Sequence, residues 1–210
     1  MITIYRLNIS RSERILWLAE ELGLPYRLER YLREPTMAAP DSLREIHPLG
    51  RAPVIRDGDL VLAESGAIVE YLIHRHGGGR FAVPPESPDY AQYLYWMHFA
   101  EGTAMTQYLL LLFMGGALVP GVDQSATWVV RTRNQTASLL QYMDDHLGRQ
   151  PYFAGNTFTA ADIMMAYTYG IVSGFLRLDL TPFKHTQRYL ASIGERPAYR
   201  KAMELANRTA

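Results

Sequence analysis

The chain changes character once, and that change limits its architecture more than any other feature. Ahead of residue 77, strand and helix patterns alternate at short range; beyond residue 89, every periodic stretch favours helix. Between them lie Gly77-Gly78-Gly79 and the run Val83-Pro84-Pro85-Glu86-Ser87-Pro88, which cannot continue a helix and reads as a linker. The reading is therefore a mixed α/β domain over residues 1–78, a linker over 79–88 and an all-helical domain over 89–210. A chain of 210 residues suffices to bury a core in each part.

The first half resolves further. Residues 2–7 are β-branched and apolar and read as a strand. Residues 10–22 read as a helix carrying Ile15, Leu16, Leu18, Ala19 and Leu22 at helical spacing, ended by Gly23 and Pro25. A second strand is predicted over 26–32, then a polar stretch over 33–50 with a short helix at 41–46. Val54-Ile55-Arg56 and Leu60-Val61-Leu62 flank Asp57-Gly58, the strongest hairpin signal in the chain. A helix over 65–74 closes the unit, giving β-α-β-(α)-β-β-α. In the second half the spacing predicts helices near 89–114, 123–147, 160–175, 182–193 and 197–207.

Composition removes whole classes of function. The 21 basic side chains balance 21 acidic ones, so no net field answers nucleic acid or an anionic membrane. The chain has no cysteine, which excludes disulfides, thiolate metal sites and a cysteine nucleophile. If sulfur chemistry occurs here, the sulfur arrives with a ligand. The start runs straight into a strand pattern, and the longest apolar stretch, 108–120, is interrupted by glycines. These features read as a soluble, cytoplasmic chain with no membrane span.

Four local patterns could carry chemistry. Ser10-Arg11-Ser12-Glu13 fits a capping box, and a capping hydroxyl keeps an O–H that can point at an anion held by a helix N-terminus. His47-Pro48-Leu49-Gly50-Arg51-Ala52-Pro53 enters a strand, and Pro53 is a trans strand-edge proline or a cis one. Ala63-Glu64-Ser65-Gly66 opens a helix. There Ser65 reads either as an N-cap or, with Glu64, as a hydroxyl and carboxylate for an α-amino-acid head group. Thr159-x-x-Asp162 is a capping box with a structural role. The six histidines form no His-x-x-x-His pair, so no metal site is expected. Asp144-Asp145-His146 reads as a solvated helix end, and the stripe Tyr93, Trp96, Met97, Met105, Tyr108, Phe113, Met114 as core, part of which could wall an apolar cleft.

Taken in order, these segments resemble the cytosolic glutathione transferases. Three lie in the first half: residues 10–15, 47–53 and 62–68. Two lie in the second: 152–162, ending Thr159-Ala160-Ala161-Asp162, and Glu195-Arg196-Pro197-Ala198-Tyr199. The serine and the His-Pro-Leu-Gly-Arg segment are most similar to a serine-type group of bacteria and fungi. The resemblance implies a thioredoxin-like N-terminal domain, an all-α C-terminal domain, and conjugation of the thiolate of glutathione, as cosubstrate and without a metal, to small hydrophobic electrophiles. It implies that Ser10 hydrogen-bonds the sulfur, with Ser12 and Tyr5 as rivals. Ala52 and Pro53 would hold the cysteinyl backbone, and Glu64 and Ser65 the γ-glutamyl group. Arg51 and His47 would lie near the glycyl carboxylate, and Met105, Tyr108 and Phe113 would line the electrophile pocket. It also implies a homodimer. A glutathione-dependent peroxidase on the same fold would need no new residues, and a non-catalytic member that binds glutathione or a partner protein is the other alternative.

Overall fold

The structure is a computed structural model and describes residues 1–115 and 119–208. Its contacts divide into two units, Met1–Ala82 with Gly194–Ala210, and Val83–Ile193.

In the first unit, β1 (Ile2–Leu7), β2 (Tyr26–Tyr31), β3 (Val54–Asp57) and β4 (Leu60–Ala63) form one sheet in the order β2-β1-β3-β4. β1 runs parallel to β2 and antiparallel to β3, and β3 and β4 form the antiparallel hairpin predicted around Asp57-Gly58. The central position of β1 explains its composition, since Ile2, Ile4, Tyr5 and Leu7 are all buried. A single helical turn at Asp41–Glu45 precedes β3.

Helix α1 (Ser12–Leu22) packs on β1, on α2 (Ser65–Arg75) and on the last helix of the chain, which runs over Pro197–Asn207. Covered on three sides, it buries even Ser12 and Arg14. Its C-terminus closes on Gly23 in the left-handed region, as the sequence predicts. The last helix, which the sequence reading placed with everything beyond residue 88, makes its contacts with the first unit. It clusters with the first unit because its buried face, which includes Ala202 and Ala206, packs on α1. Tyr199 meets Trp17 edge-on at 4.9 Å between ring centroids, and Arg196 forks onto Glu21 at 2.6 and 2.8 Å. Lys201 pairs with Glu20 at 2.7 Å.

Among the described residues the regular elements of the second unit are helices, apart from one isolated antiparallel bridge between Tyr152 and Gly155. The predicted helix at 89–114 is three consecutive segments: α3 (Tyr90–Phe99), a π-helical stretch (Ala100–Met105) and α4 (Thr106–Met114). The wider π turn shifts the helical phase, so a face read from Tyr93 does not run through to Phe113. Next come α5 (Thr127–Arg149), α6 (Ala160–Gly174) and α7 (Lys184–Gly194), and the last helix, Pro197–Asn207, is α8. Among the described residues no helix is long and apolar enough to cross a membrane.

Two polar groups organise this core. The Thr159–Asp162 capping box forms as predicted, and the Asp162 carboxylate also accepts the Phe153 N–H at 2.9 Å. The helix end at 144–146 is not the solvated feature the sequence suggests. Asp144 is buried and accepts the Thr186 N–H at 2.7 Å, so it caps the first turn of α7 from another helix. His146 is buried against Phe153, and burial lowers its pKa. Gly155 is favoured by its backbone, at φ +112°, and the Asp89 carboxylate packs 2.8 Å from where a Cβ would lie.

Candidate functional site

Strand register brings three of the sequence patterns to one end of the sheet. Val54 pairs with Tyr5 on one side and with Ala63 on the other. The residue before β3, the two after β4 and the turn that leaves β1 therefore share an edge. Pro53, Glu64 and Ser65, and the 8–11 turn are the segments concerned.

The β1–α1 turn holds Ser10 and Ser12 together. Ser10 Oγ lies 2.7 Å from the Leu7 carbonyl oxygen and 2.5 Å from Ser12 Oγ, and Ser12 Oγ lies 3.1 Å from the same carbonyl. Two hydroxyl protons serve these three contacts, so one O–H can be redirected while the other keeps the Leu7 carbonyl satisfied. The full capping box expected at Ser10 does not form. α1 begins at Ser12, Ser10 Oγ accepts the Ser12 N–H at 3.2 Å, and the Glu13 N–H bonds the Ser10 carbonyl instead. The reverse half survives, since the Glu13 carboxylate accepts the Ser10 N–H. Burial raises the Glu13 pKa, opposed by Arg6 at 4.0 Å and by that N–H. Among the three hydroxyl candidates, Ser12 has no exposed surface and Ser10 retains 5%. Tyr5 is buried in the sheet, where its hydroxyl accepts from Arg56 Nε at 3.1 Å.

The second segment ends in a cis Ala52–Pro53 peptide, with Ala52 half-buried and Pro53 buried. Arg51 is exposed and His47 half-buried, its Nδ1 accepting the Leu49 N–H at 3.4 Å. Gly50 has φ +56°, and a Cβ there would meet Arg44 Cγ at 2.9 Å.

The third segment departs from the simple capping explanation. The N-cap of α2 is Glu64, at φ 72° and ψ 120°, and Ser65 is the first helical residue. The Ser65 hydroxyl therefore cannot cap its own helix. It is 3% exposed and has no hydrogen-bond partner among the described residues. A buried hydroxyl without a partner costs about 1–3 kcal/mol, so its presence calls for a ligand. Glu64 beside it is an exposed carboxylate.

The chain matches the family model for glutathione S-transferase N-terminal domains over residues 10–75, and that for the C-terminal domains over 126–192. It is 31% identical to glutathione S-transferase 3 of Schizosaccharomyces pombe, over 97% of this chain and 87% of that one. The chain belongs to the glutathione S-transferase family. It is also 30% identical to the glutathione S-transferase GstB of Escherichia coli K12, over 97% of this chain and 98% of that one. The crystal structure of a glutathione S-transferase from Actinobacillus pleuropneumoniae aligns with TM-score 0.86 and 32% identity, over 100% of this chain and 97% of that one. A family member from Pseudomonas fluorescens, solved with two glutathione bound, aligns with TM-score 0.82 and 25% identity, over 97% of this chain and 92% of that one.

Within this glutathione S-transferase fold, the residues read as the electrophile wall are split. Met105 and Tyr108 are buried in the helical unit, where burial raises the Tyr108 pKa and its hydroxyl has no partner among the described residues. Phe113 is exposed. A cavity of about 520 Å3 in the helical unit is lined by Leu111, Leu140, Leu176 and Phe183 among others, and by none of the three. No group of three His, Asp or Glu residues among the described residues could hold a metal ion. Sequence reasoning missed Ile9 and Arg33. Ile9 adopts φ +52°, which a β-branched residue adopts only when held there. Its identity gives no sign of that conformation.

Proposed function

We propose that the protein is a glutathione transferase that joins the thiolate of glutathione to small hydrophobic electrophiles. The observation that carries this reading is the buried, unpartnered Ser65 hydroxyl at the N-terminus of α2, beside Glu64. A γ-glutamyl head group offers a carboxylate for the Ser65 O–H and the first N–H groups of α2, and an ammonium for Glu64. Ala52 and Pro53 then meet the cysteinyl backbone. Arg51, or less directly His47, meets the glycyl carboxylate. The sulfur reaches Ser10, two residues ahead of the start of α1.

Ser10 donates its O–H to the sulfur while Ser12 keeps the Leu7 carbonyl satisfied. A free thiol titrates near ~8.5, and a hydroxyl donor with a helix N-terminus behind it favours the thiolate. The thiolate forms a carbon–sulfur bond with the electrophile, whose leaving group departs or whose activated double bond takes up a proton. Catalysis here is thiolate stabilisation and proximity, with no covalent enzyme intermediate. Family membership supports a homodimer working in the cytoplasm.

The test is Ser65→Ala. Removing a buried hydroxyl that lacks a partner leaves folding unharmed, so the melting temperature should hold or rise. Loss of a hydrogen bond to a carboxylate should weaken glutathione binding about tenfold or more. Titration calorimetry and thermal melts of the two proteins check this pair. Unchanged affinity with lowered stability would return Ser65 to a purely structural role. Turnover of an aryl halide beside an organic hydroperoxide then separates conjugation from peroxide reduction.

A further inference from the structure

The turn that carries Ser10 is held from outside by the Arg33 side chain, beside the bond that the Asn8 N–H donates to the Tyr31 carbonyl at 3.0 Å. Asn8 and Ile9 lead from β1 into Ser10, and Ile9 sits at φ +52° and is 43% exposed. No burial of Ile9 compensates the left-handed backbone. Arg33, just beyond β2, supplies the hold. Its backbone N–H, which any residue but proline would supply there, donates to Asn8 Oδ1 at 2.7 Å. Its Nε lies 3.2 Å from the Asn8 carbonyl and 3.3 Å from that of Ile9, and its Nη2 lies 3.1 Å from the Ile9 carbonyl. Its Nη1 reaches the Met37 carbonyl at 2.7 Å, and Met37 is itself left-handed at φ +67°. One planar fork therefore joins the carbonyls of both left-handed residues, tying the 32–39 loop to the 8–9 turn. A guanidinium suits this task because its donors are fixed in a plane; an ammonium could not span three carbonyls.

We infer that Arg33 is a positioning residue for the glutathione sulfur: by clamping Asn8 and Ile9 it fixes the backbone from which Ser10 presents its hydroxyl. The inference rests on the proposed contact between Ser10 and sulfur. Without the clamp, Ile9 relaxes toward negative φ, and the next residue in the chain moves with it. A displacement of about 1 Å at a catalytic contact can cost on the order of a hundredfold in rate, so a small relaxation suffices. Arg33 touches neither glutathione nor the reacting atoms in this account.

The test measures the apparent pKa of the thiol of bound glutathione, by ultraviolet absorbance at saturating glutathione. It compares the wild-type protein with Ser10→Ala, Arg33→Ala, Arg33→Lys, Ile9→Gly and the Ile9→Gly/Arg33→Ala double variant. Arg33→Ala should raise the thiol pKa and lower kcat about tenfold, on the displacement argument above, with a smaller change in KM. Arg33→Lys keeps the charge but not the fork, so its shift should lie between wild type and Arg33→Ala. It also serves as the readout if Arg33→Ala fails to fold. Glycine adopts φ +52° at no steric cost, so the double variant, read against Ile9→Gly, should recover more than half of the Arg33→Ala shift. A Ser10→Ala protein with a wild-type titration would remove the sulfur contact itself. A shifted Ser10→Ala beside an unmoved Arg33→Ala, or Arg33→Lys titrating as wild type, would overturn the clamp alone. So would an Arg33→Ala shift that persists undiminished in the Ile9→Gly background, which would assign the effect to charge.

Discussion

Asp162→Ala should lower the stability of the protein by about 3 kcal/mol at neutral pH, the largest folding effect expected of any single change. The carboxylate has no exposed surface and accepts three hydrogen bonds, from the Phe153 N–H and the Thr159 N–H at 2.9 Å and from Thr159 Oγ1 at 3.3 Å. Alanine leaves two buried backbone donors without acceptors and breaks the carboxylate half of the capping box of α6, the most completely buried helix of its unit. Asparagine offers no repair, since its NH2 would face one of the two N–H groups. For a chain of this size the loss corresponds to roughly 6–12 °C in melting temperature.

The pH dependence of that loss has a definite sign. Burial pushes the Asp162 carboxyl up to about 6, against the pull of its hydrogen bonds, from an ordinary value of 3.8. The folded state therefore holds this proton through a range where the unfolded chain has released it. Stability contributed by the group is full below the unfolded value, falls as pH rises through about 6, and is level above it. The difference between wild type and Asp162→Ala should accordingly be largest near pH 4 and narrow toward pH 7. Denaturant melts of both proteins across that range check it, and a gap that widens with pH would contradict the assignment.

Ser10→Ala should leave the fold intact and strike the chemistry. A hydroxyl donor to a thiolate is a charge-assisted hydrogen bond worth about 1.5–3 kcal/mol, so kcat/KM should fall on the order of 10- to 100-fold at neutral pH. The kinetic pKa for conjugation should rise by about one unit or more, and the deficit should shrink at alkaline pH, where thiolate forms unaided. Ser12→Ala is the instructive contrast. Ser12 has no exposed surface, so it reaches no ligand, yet its O–H is the proton that frees that of Ser10. Its loss makes the Leu7 carbonyl and the sulfur compete for one hydrogen. The expected cost is a few-fold, smaller than at Ser10. Initial rates over a pH series for the three proteins decide the ranking. A larger deficit for Ser12→Ala, or one that ignores pH, would move the role away from Ser10.

How far the sequence reaches depends on whether the deciding interaction is local. The hairpin at Asp57-Gly58, the Gly23 stop of α1 and the Thr159–Asp162 box each lie within a few residues, and each was legible. Ser65 shows where local rules fail. Its residue type suits an N-cap, but Glu64 takes that place in a positive-φ conformation, leaving the hydroxyl orphaned. Ile9 fails for the same reason, because its backbone is set by an arginine 24 residues away. α8 has a clear amphipathic pattern, yet periodicity says that a face is covered and not what covers it, so its allegiance to α1 emerged only in three dimensions. The electrophile wall was the least legible feature. The π-helical stretch before α4 changes phase within a segment that reads as one continuous helix, and two of the three residues chosen are core.

The most direct test of the account is a crystal structure of the protein soaked with glutathione. The account predicts the sulfur within hydrogen-bonding distance of Ser10 Oγ, about 3–3.5 Å, with the γ-glutamyl carboxylate on Ser65 Oγ and the first turn of α2. A sulfur turned away from Ser10 toward Tyr5, or a head group that leaves the Ser65 hydroxyl unpartnered, would contradict it.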